Sequence, residues 1–102
     1  MHLVQILLPL YDPAGKPFER ALFDAVAREL TERFGGVTTY TRAPATGLWK
    51  EAPDKTARDD LAVYEVMVET LEAQWWTAYR VGLERRFAQE ELVVRALEIR
   101  RL

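Results

Sequence analysis

The sequence predicts an α+β domain in which a four-stranded antiparallel sheet carries two helices on one face, and three observations lead there. Segments 2–11, 37–42, 60–69 and 92–99 are rich in aliphatic and β-branched residues that alternate at period two. Segments 17–34 and 70–87 instead repeat their apolar residues at helical spacing. The two kinds of segment follow one another as β-α-β-β-α-β, and in the strands one face is wholly apolar while the other is mixed, so helices are expected to cover only the apolar face.

The first strand puts Val4, Ile6 and Leu8 on one face and Leu3, Gln5 and Leu7 on the other, with Pro9 ending regular pairing. A turn-rich connector, Tyr11-Asp12-Pro13-Ala14-Gly15-Lys16, then delivers Pro17 to the first position of a helix, where its missing N–H costs nothing. That helix, 17–34, carries Phe18, Leu22, Val26 and Leu30 as its core stripe with Phe23, Ala27 and Phe34 beside it. Arg20, Asp24, Arg28 and Glu32 alternate in sign on the opposite side, and Glu29 and Arg33 form another pair at i+4. Gly35-Gly36 supplies a left-handed cap.

The second strand, 37–42, is β-rich in both phases, so either Thr39 or Tyr40 joins the mixed face. Residues 43 to 60 read as a bulged hairpin arm with a turn at Pro53-Asp54-Lys55, and Trp49 within it either plugs the core, lines a dimer seam or touches a ligand. The third strand, 60–69, is the organising one: Ala62, Tyr64, Val66 and Val68 share one face, Val63, Glu65 and Met67 the other. Thr70 is the expected N-cap of the second helix, with Glu72 in its first turn. Trp75, Trp76, Tyr79, Leu83 and Phe87 form its aromatic stripe, flanked by Leu71, Ala78 and Gly82 as small or apolar residues permitting close approach to the sheet. Adjacent tryptophans stand about 100° apart on a helix, so one is expected to enter the core and the other a rim or an interface. Arg80, Glu84, Arg85 and Arg86 read as its solvated face, and 92–99 closes the chain as the fourth strand.

Composition limits the function classes. The 102 residues make one domain, 1–102, and 49% apolar with 29% charged residues describe a globular, soluble chain. A net charge of −2 offers no footprint for nucleic acid. The apolar run Ile6-Leu7-Leu8-Pro9-Leu10 is far short of a membrane span, and the start of the chain lacks the basic region of a signal peptide, so a cytoplasmic location without membrane contact is expected. Without Cys or Ser there is no thiolate and no ordinary triad alcohol, and the lone His2 has no partner at ligand spacing. No metal and no cofactor are expected.

Right-handed crossovers place strands one and three side by side, read here as a parallel pair, flanked by four and two. The mixed face then gathers Val93, Arg95 and Leu97, then Leu3, Gln5 and Leu7, then Val63, Glu65 and Met67. A polar row, Arg95–Gln5–Glu65, crosses an apolar surface of the kind that normally has a partner. Gln5, Glu65 and Arg95 are therefore the candidate ligand-binding residues, with Trp49 or Tyr40 as a roof. Leu3, Leu7, Val63, Met67, Val93 and Leu97 are the candidate dimer interface.

This element order resembles the ferredoxin-like split β-α-β plan over the whole chain. With its half-apolar open face, the chain is similar to the dimeric α+β barrel group, in which two sheets pack face to face and which includes cofactor-free monooxygenases, small isomerases and decarboxylases. The stretch Trp75-Trp76-x-x-Tyr79-Arg80 through Leu83-Glu84-Arg85-Arg86-Phe87, with Gly47-Leu48-Trp49, resembles a small uncharacterised bacterial protein family. The resemblance implies a homodimer. The monooxygenase members use Asn, Trp and Arg or His-centred sites, and this chain has no Asn, so no catalytic residue carries over.

The first function class is accordingly a self-associating, non-enzymatic module that binds a small molecule or a protein partner. The alternative is a small cofactor-free enzyme of the barrel type, monooxygenase- or isomerase-like, acting on an apolar or aromatic acid with Glu65 as general base and Arg95 as anion clamp. RNA binding is disfavoured, because the open-face positions Gln5, Leu7, Glu65 and Met67 provide no stacking aromatics.

Overall fold

The computed structural model describes residues 1–42 and 60–102. Its elements are β1 (His2–Pro9), α1 (Arg20–Phe34), β2 (Thr38–Arg42), β3 (Leu61–Val68), α2 (Ala73–Arg86) and β4 (Val93–Glu98), and the strands form one sheet in the order β2-β3-β1-β4. This is the ferredoxin-like arrangement, with an antiparallel sheet and two helices. The central pair departs from the expectation in one respect: β1 and β3 are neighbours but run antiparallel. Each helix returns the chain to a strand two positions away that points the same way as the one it left. The strand between them must oppose both, so no neighbours are parallel.

One core lies between the sheet and the helices. Val4, Ile6 and Leu8 of β1 and Tyr64, Val66 and Val68 of β3 are buried against Val26 and Leu30 of α1 and Trp76, Leu83 and Phe87 from α2 and its end. All six strand residues share one face, so both helices lie on it. Phe18 and Phe23 meet Phe87 at ring-centroid distances of 5.2 and 5.3 Å, and Phe34 stacks on Trp76 at 5.1 Å. These contacts join the two helices through aromatic rings of about 150–250 Å² each. Tyr64 reaches out of the core to donate to the Phe23 carbonyl at 3.2 Å, which satisfies its hydroxyl and ties β3 to α1.

Both helices start later than their sequence signals suggest. Asp12 Oδ1 accepts the backbone N–H groups of Ala14 and Lys16 at 2.9 and 2.8 Å, and Tyr11 bridges to Pro17. Phe18 N–H then donates to the Leu10 carbonyl at 3.1 Å, so Pro17 is held extended and Glu19 becomes the N-cap. Proline's fixed φ suits either conformation, and the Asp12 turn decides between them. At α2 the N-cap is Glu72 and not Thr70, with no side-chain cap bond, and the Glu72 carboxylate pairs instead with Arg33 at 3.1 Å. Gly35 does cap α1 in the left-handed region at φ 87°, its N–H donating to Thr31.

The small flank of α2 has a different use from the one expected. Ala78 is exposed, and a Cβ placed on Gly82 would meet nothing within 4 Å, so neither residue mediates close approach to the sheet. The tryptophans divide as the helix geometry requires: Trp76 is buried, while Trp75 is half-buried at the rim beneath Arg33, whose guanidinium lies 4.3 Å from its ring centroid.

Candidate functional site

The antiparallel registers arrange the uncovered face of the sheet in three rows. Leu97, Leu3 and Met67 form the first, Arg95, Gln5, Glu65 and Thr38 the second, and Val93, Leu7, Val63 and Tyr40 the third. The rows follow from period-two alternation, since residues directly opposite across antiparallel neighbours point the same way. The ambiguity in β2 is resolved by Tyr40, which is on this face opposite Val63, while Thr39 stands opposite Tyr64 on the helix side. Met67, Val93, Leu97 and Tyr40 are 53%, 48%, 47% and 44% exposed, whereas Val63 is buried within its own chain at 2%. The exposed apolar surface is therefore carried by the outer rows, on either side of a polar one.

The polar row is a directed chain of hydrogen bonds. Arg95 Nε donates to Gln5 Oε1 at 2.8 Å, Gln5 Nε2 donates to Glu65 Oε2 at 2.7 Å, and Tyr40 Oη donates to the same carboxylate oxygen at 3.0 Å. A neutral amide thus separates a cation at β4 from an anion at β3, with its acceptor turned to one and its donor to the other. Three groups at the ends remain unused among the described residues: Arg95 Nη1 and Nη2 and Glu65 Oε1 carry no hydrogen bond there. Gln5, Glu65, Arg95 and Tyr40 are thus brought together, and Trp49 lies outside the described residues.

A concavity of about 760 Å³ adjoins one end of this face. Leu3, Thr38, Glu65 and Met67 line it from the sheet, Glu69 from just past β3, Phe34 to Val37 from the turn after α1, and Met1, Ile99 and Arg101 from the chain termini. Of the described candidate ligand residues, Glu65 is on its wall and Gln5, Arg95 and Tyr40 are not. The terminal residues were not legible as lining, because the pairing that brings them there is the Ile99 N–H to Met1 carbonyl bond of 3.0 Å just past the ends of β4 and β1.

A second polar cluster spans the outer surface of the helices. Glu29 Oε1 accepts from Tyr79 Oη at 2.7 Å and from Arg86 Nη1 at 2.9 Å, so Glu29 pairs across to α2 and not with Arg33 along its own helix. Burial acts to raise the Glu29 pKa, but hydrogen bonds from Arg86 and Tyr79 and the charges of Arg86 and Arg28 outweigh it and leave the carboxyl below its ordinary value. The Tyr79 phenol is pushed well above its ordinary value by burial first and by Glu29 second. On the other flank of α2, Glu84 accepts from Arg80 Nη1 at 2.7 Å and from the Leu92 backbone N–H at 3.0 Å, which fastens the helix to the start of β4. No group of three or more His, Cys, Asp or Glu among the described residues is placed to hold a metal ion. No helix of the described residues is long and apolar enough to cross a membrane.

Compared with known protein families, curated proteins and solved structures, the chain matches no family model, no curated protein and no solved structure.

Proposed function

We propose that this chain is a self-associating ferredoxin-like module of the dimeric α+β barrel kind, whose open sheet face is covered by a second copy. The observation that carries this reading is the exposure of Met67, Val93, Leu97 and Tyr40 around one ordered polar row on the face opposite α1 and α2. Large contiguous apolar patches on a folded surface are costly to hydrate and mark interaction sites. A self-complementary face of this kind suits an isologous dimer with an interface of about 1,200–2,000 Å². Replacing Met67 or Leu97 with Glu puts an unpaired charge into that contact while leaving the helix-side core untouched. Both variants are expected to keep their far-ultraviolet circular dichroism and to lose half their mass by light scattering; an unchanged mass in both defeats the proposal.

The concavity beside Glu65 favours a second role for the same face, binding of a small ligand at its edge. Its volume falls within the range of about 300–1,000 Å³ common for ligand sites. Its wall carries the cationic Arg101 beside the carboxylates of Glu65 and Glu69. Thermal melts with a panel of small aromatic acids test this role, and the absence of any ligand-dependent shift removes it.

A further inference from the structure

Resting on the reading that a second copy covers the open face, the geometry points to one orientation of that copy. We infer that the two-fold axis runs parallel to β1 and passes over Gln5, so that Arg95 of each copy pairs with Glu65 of the other. The polar row sets the choice. It is positive at β4, neutral at β1 and negative at β3, and its ends retain Arg95 Nη1 and Nη2 and Glu65 Oε1 with no hydrogen bond among the described residues.

Three ways of stacking the sheets can be compared. With the axis along β1, the strand order reverses across the interface while height along the strands is kept. Arg95 then faces Glu65, Gln5 faces Gln5, and the exposed Leu97 faces Met67. With the axis along the polar row, height reverses instead, Arg95 faces Arg95 and Glu65 faces Glu65, and both contacts are repulsive. In an orthogonal packing the charges of each row lie over the apolar rows of the other sheet, where desolvation goes uncompensated. Only the first keeps every charge opposite its complement. Packed sheets stand about 10 Å apart, a gap that an Arg and a Glu side chain reaching from opposite sides can close together.

Within this dimer each polar row is continued through its ends into the other copy's row. The pairing is reciprocal, so it occurs twice per dimer and doubles the effect of any change at either position.

Charge reversal with subunit mixing tests the orientation. Arg95→Glu creates two Glu–Glu contacts and Glu65→Arg two Arg–Arg contacts, so each variant alone is expected to shift from the mass of two chains to that of one. An equimolar mixture restores both contacts as Arg–Glu pairs and is expected to return to the mass of two chains, with one of each variant per particle by native mass spectrometry. If the parent is a dimer and the mixture stays monomeric, or either variant alone stays as dimeric as the parent, the orientation is overturned while the dimer reading stands. A monomeric parent overturns both. Should the reversals disturb folding, the absence of native cysteine supplies a second readout. Glu65→Cys and Arg95→Cys chains, mixed and treated with a short bis-maleimide, are expected to link to each other in preference to themselves; preferential links within one variant overturn the inference.

Discussion

Gln5 and Glu65 face each other as direct register partners on the two central strands, and the Gln5 amide donates to Glu65 Oε2 at 2.7 Å. Because Nε2 is committed to the carboxylate, Oε1 is left to accept from Arg95 at 2.8 Å on the other side. A single side chain thereby orients both charged neighbours on a surface whose other rows are apolar.

Substitution at the ends of that row separates a register device from a ligand pocket. Glu65→Gln and Arg95→Met are expected to keep the fold, since both positions lie away from the helix-side core, and to lose about 1 kcal/mol of stability or dimer affinity. At this chain length, that loss lowers Tm by about 4–8 °C. If small aromatic acids leave the parent's melt unchanged while both variants are destabilised, the row serves register alone.

Gly35 and Gly82 should respond in opposite directions. Gly35→Ala forces a Cβ into the left-handed region at φ 87° and is expected to cost about 1 kcal/mol. Gly82→Ala places a methyl group in open space within α2 and is expected to stabilise by about 0.5–1 kcal/mol, the difference in helix propensity. Urea denaturation of the two variants measures both, and a destabilised Gly82→Ala would show that the helix needs that space.

The tryptophans provide a similar contrast. Trp76 is buried between Phe34 and the sheet, so Trp76→Ala is expected to cost about 3–5 kcal/mol. Trp75 stacks on Tyr79 at 4.9 Å under Arg33 at the rim, and its loss removes far less buried area, with a cost of roughly 1–2 kcal/mol. Equal losses in denaturant melts would contradict the division between core and rim.

Acid should weaken the protein in a definite window. Glu29 and Glu84 both ionise below the ordinary value of 4.5, Glu84 chiefly through the Leu92 N–H with burial opposing and Arg80 adding to it. A depressed folded-state pKa contributes stability above the unfolded value, and that contribution is lost as pH falls through the folded one. Stability is therefore expected to be level near neutrality and to decline below about 4.5, with a shallower decline in Glu29→Gln. An identical decline in parent and variant would remove Glu29 from the account.

The membership of the open face and its polar row Arg95–Gln5–Glu65 were legible in the sequence from strand alternation and element order, but the outer rows were not, because a parallel β1–β3 pair would set Leu3 beside Val63 and not Met67. Leu3, Gln5 and Leu7 had only one face to occupy once Val4, Ile6 and Leu8 were assigned to the core. The phase of β2 was not legible, since Thr38, Thr39, Tyr40 and Thr41 suit either face, and only pairing with β3 decides it. The start of α1 was displaced where turn chemistry competed with a local signal, as Asp12 does for Pro17. The partners of Glu29 were hidden because spacing along one helix suggests Arg33, whereas Arg86 and Tyr79 arrive from α2. The expected hairpin arm and Trp49 fall at 43–59, outside the described residues.

Whether a second copy covers the open face is decided by the molar mass of the unmodified protein in solution, from light scattering coupled to size exclusion. Coverage of the open face by a second copy predicts the mass of two chains of 11.8 kDa each. The mass of one chain, persisting as concentration is raised, would contradict it.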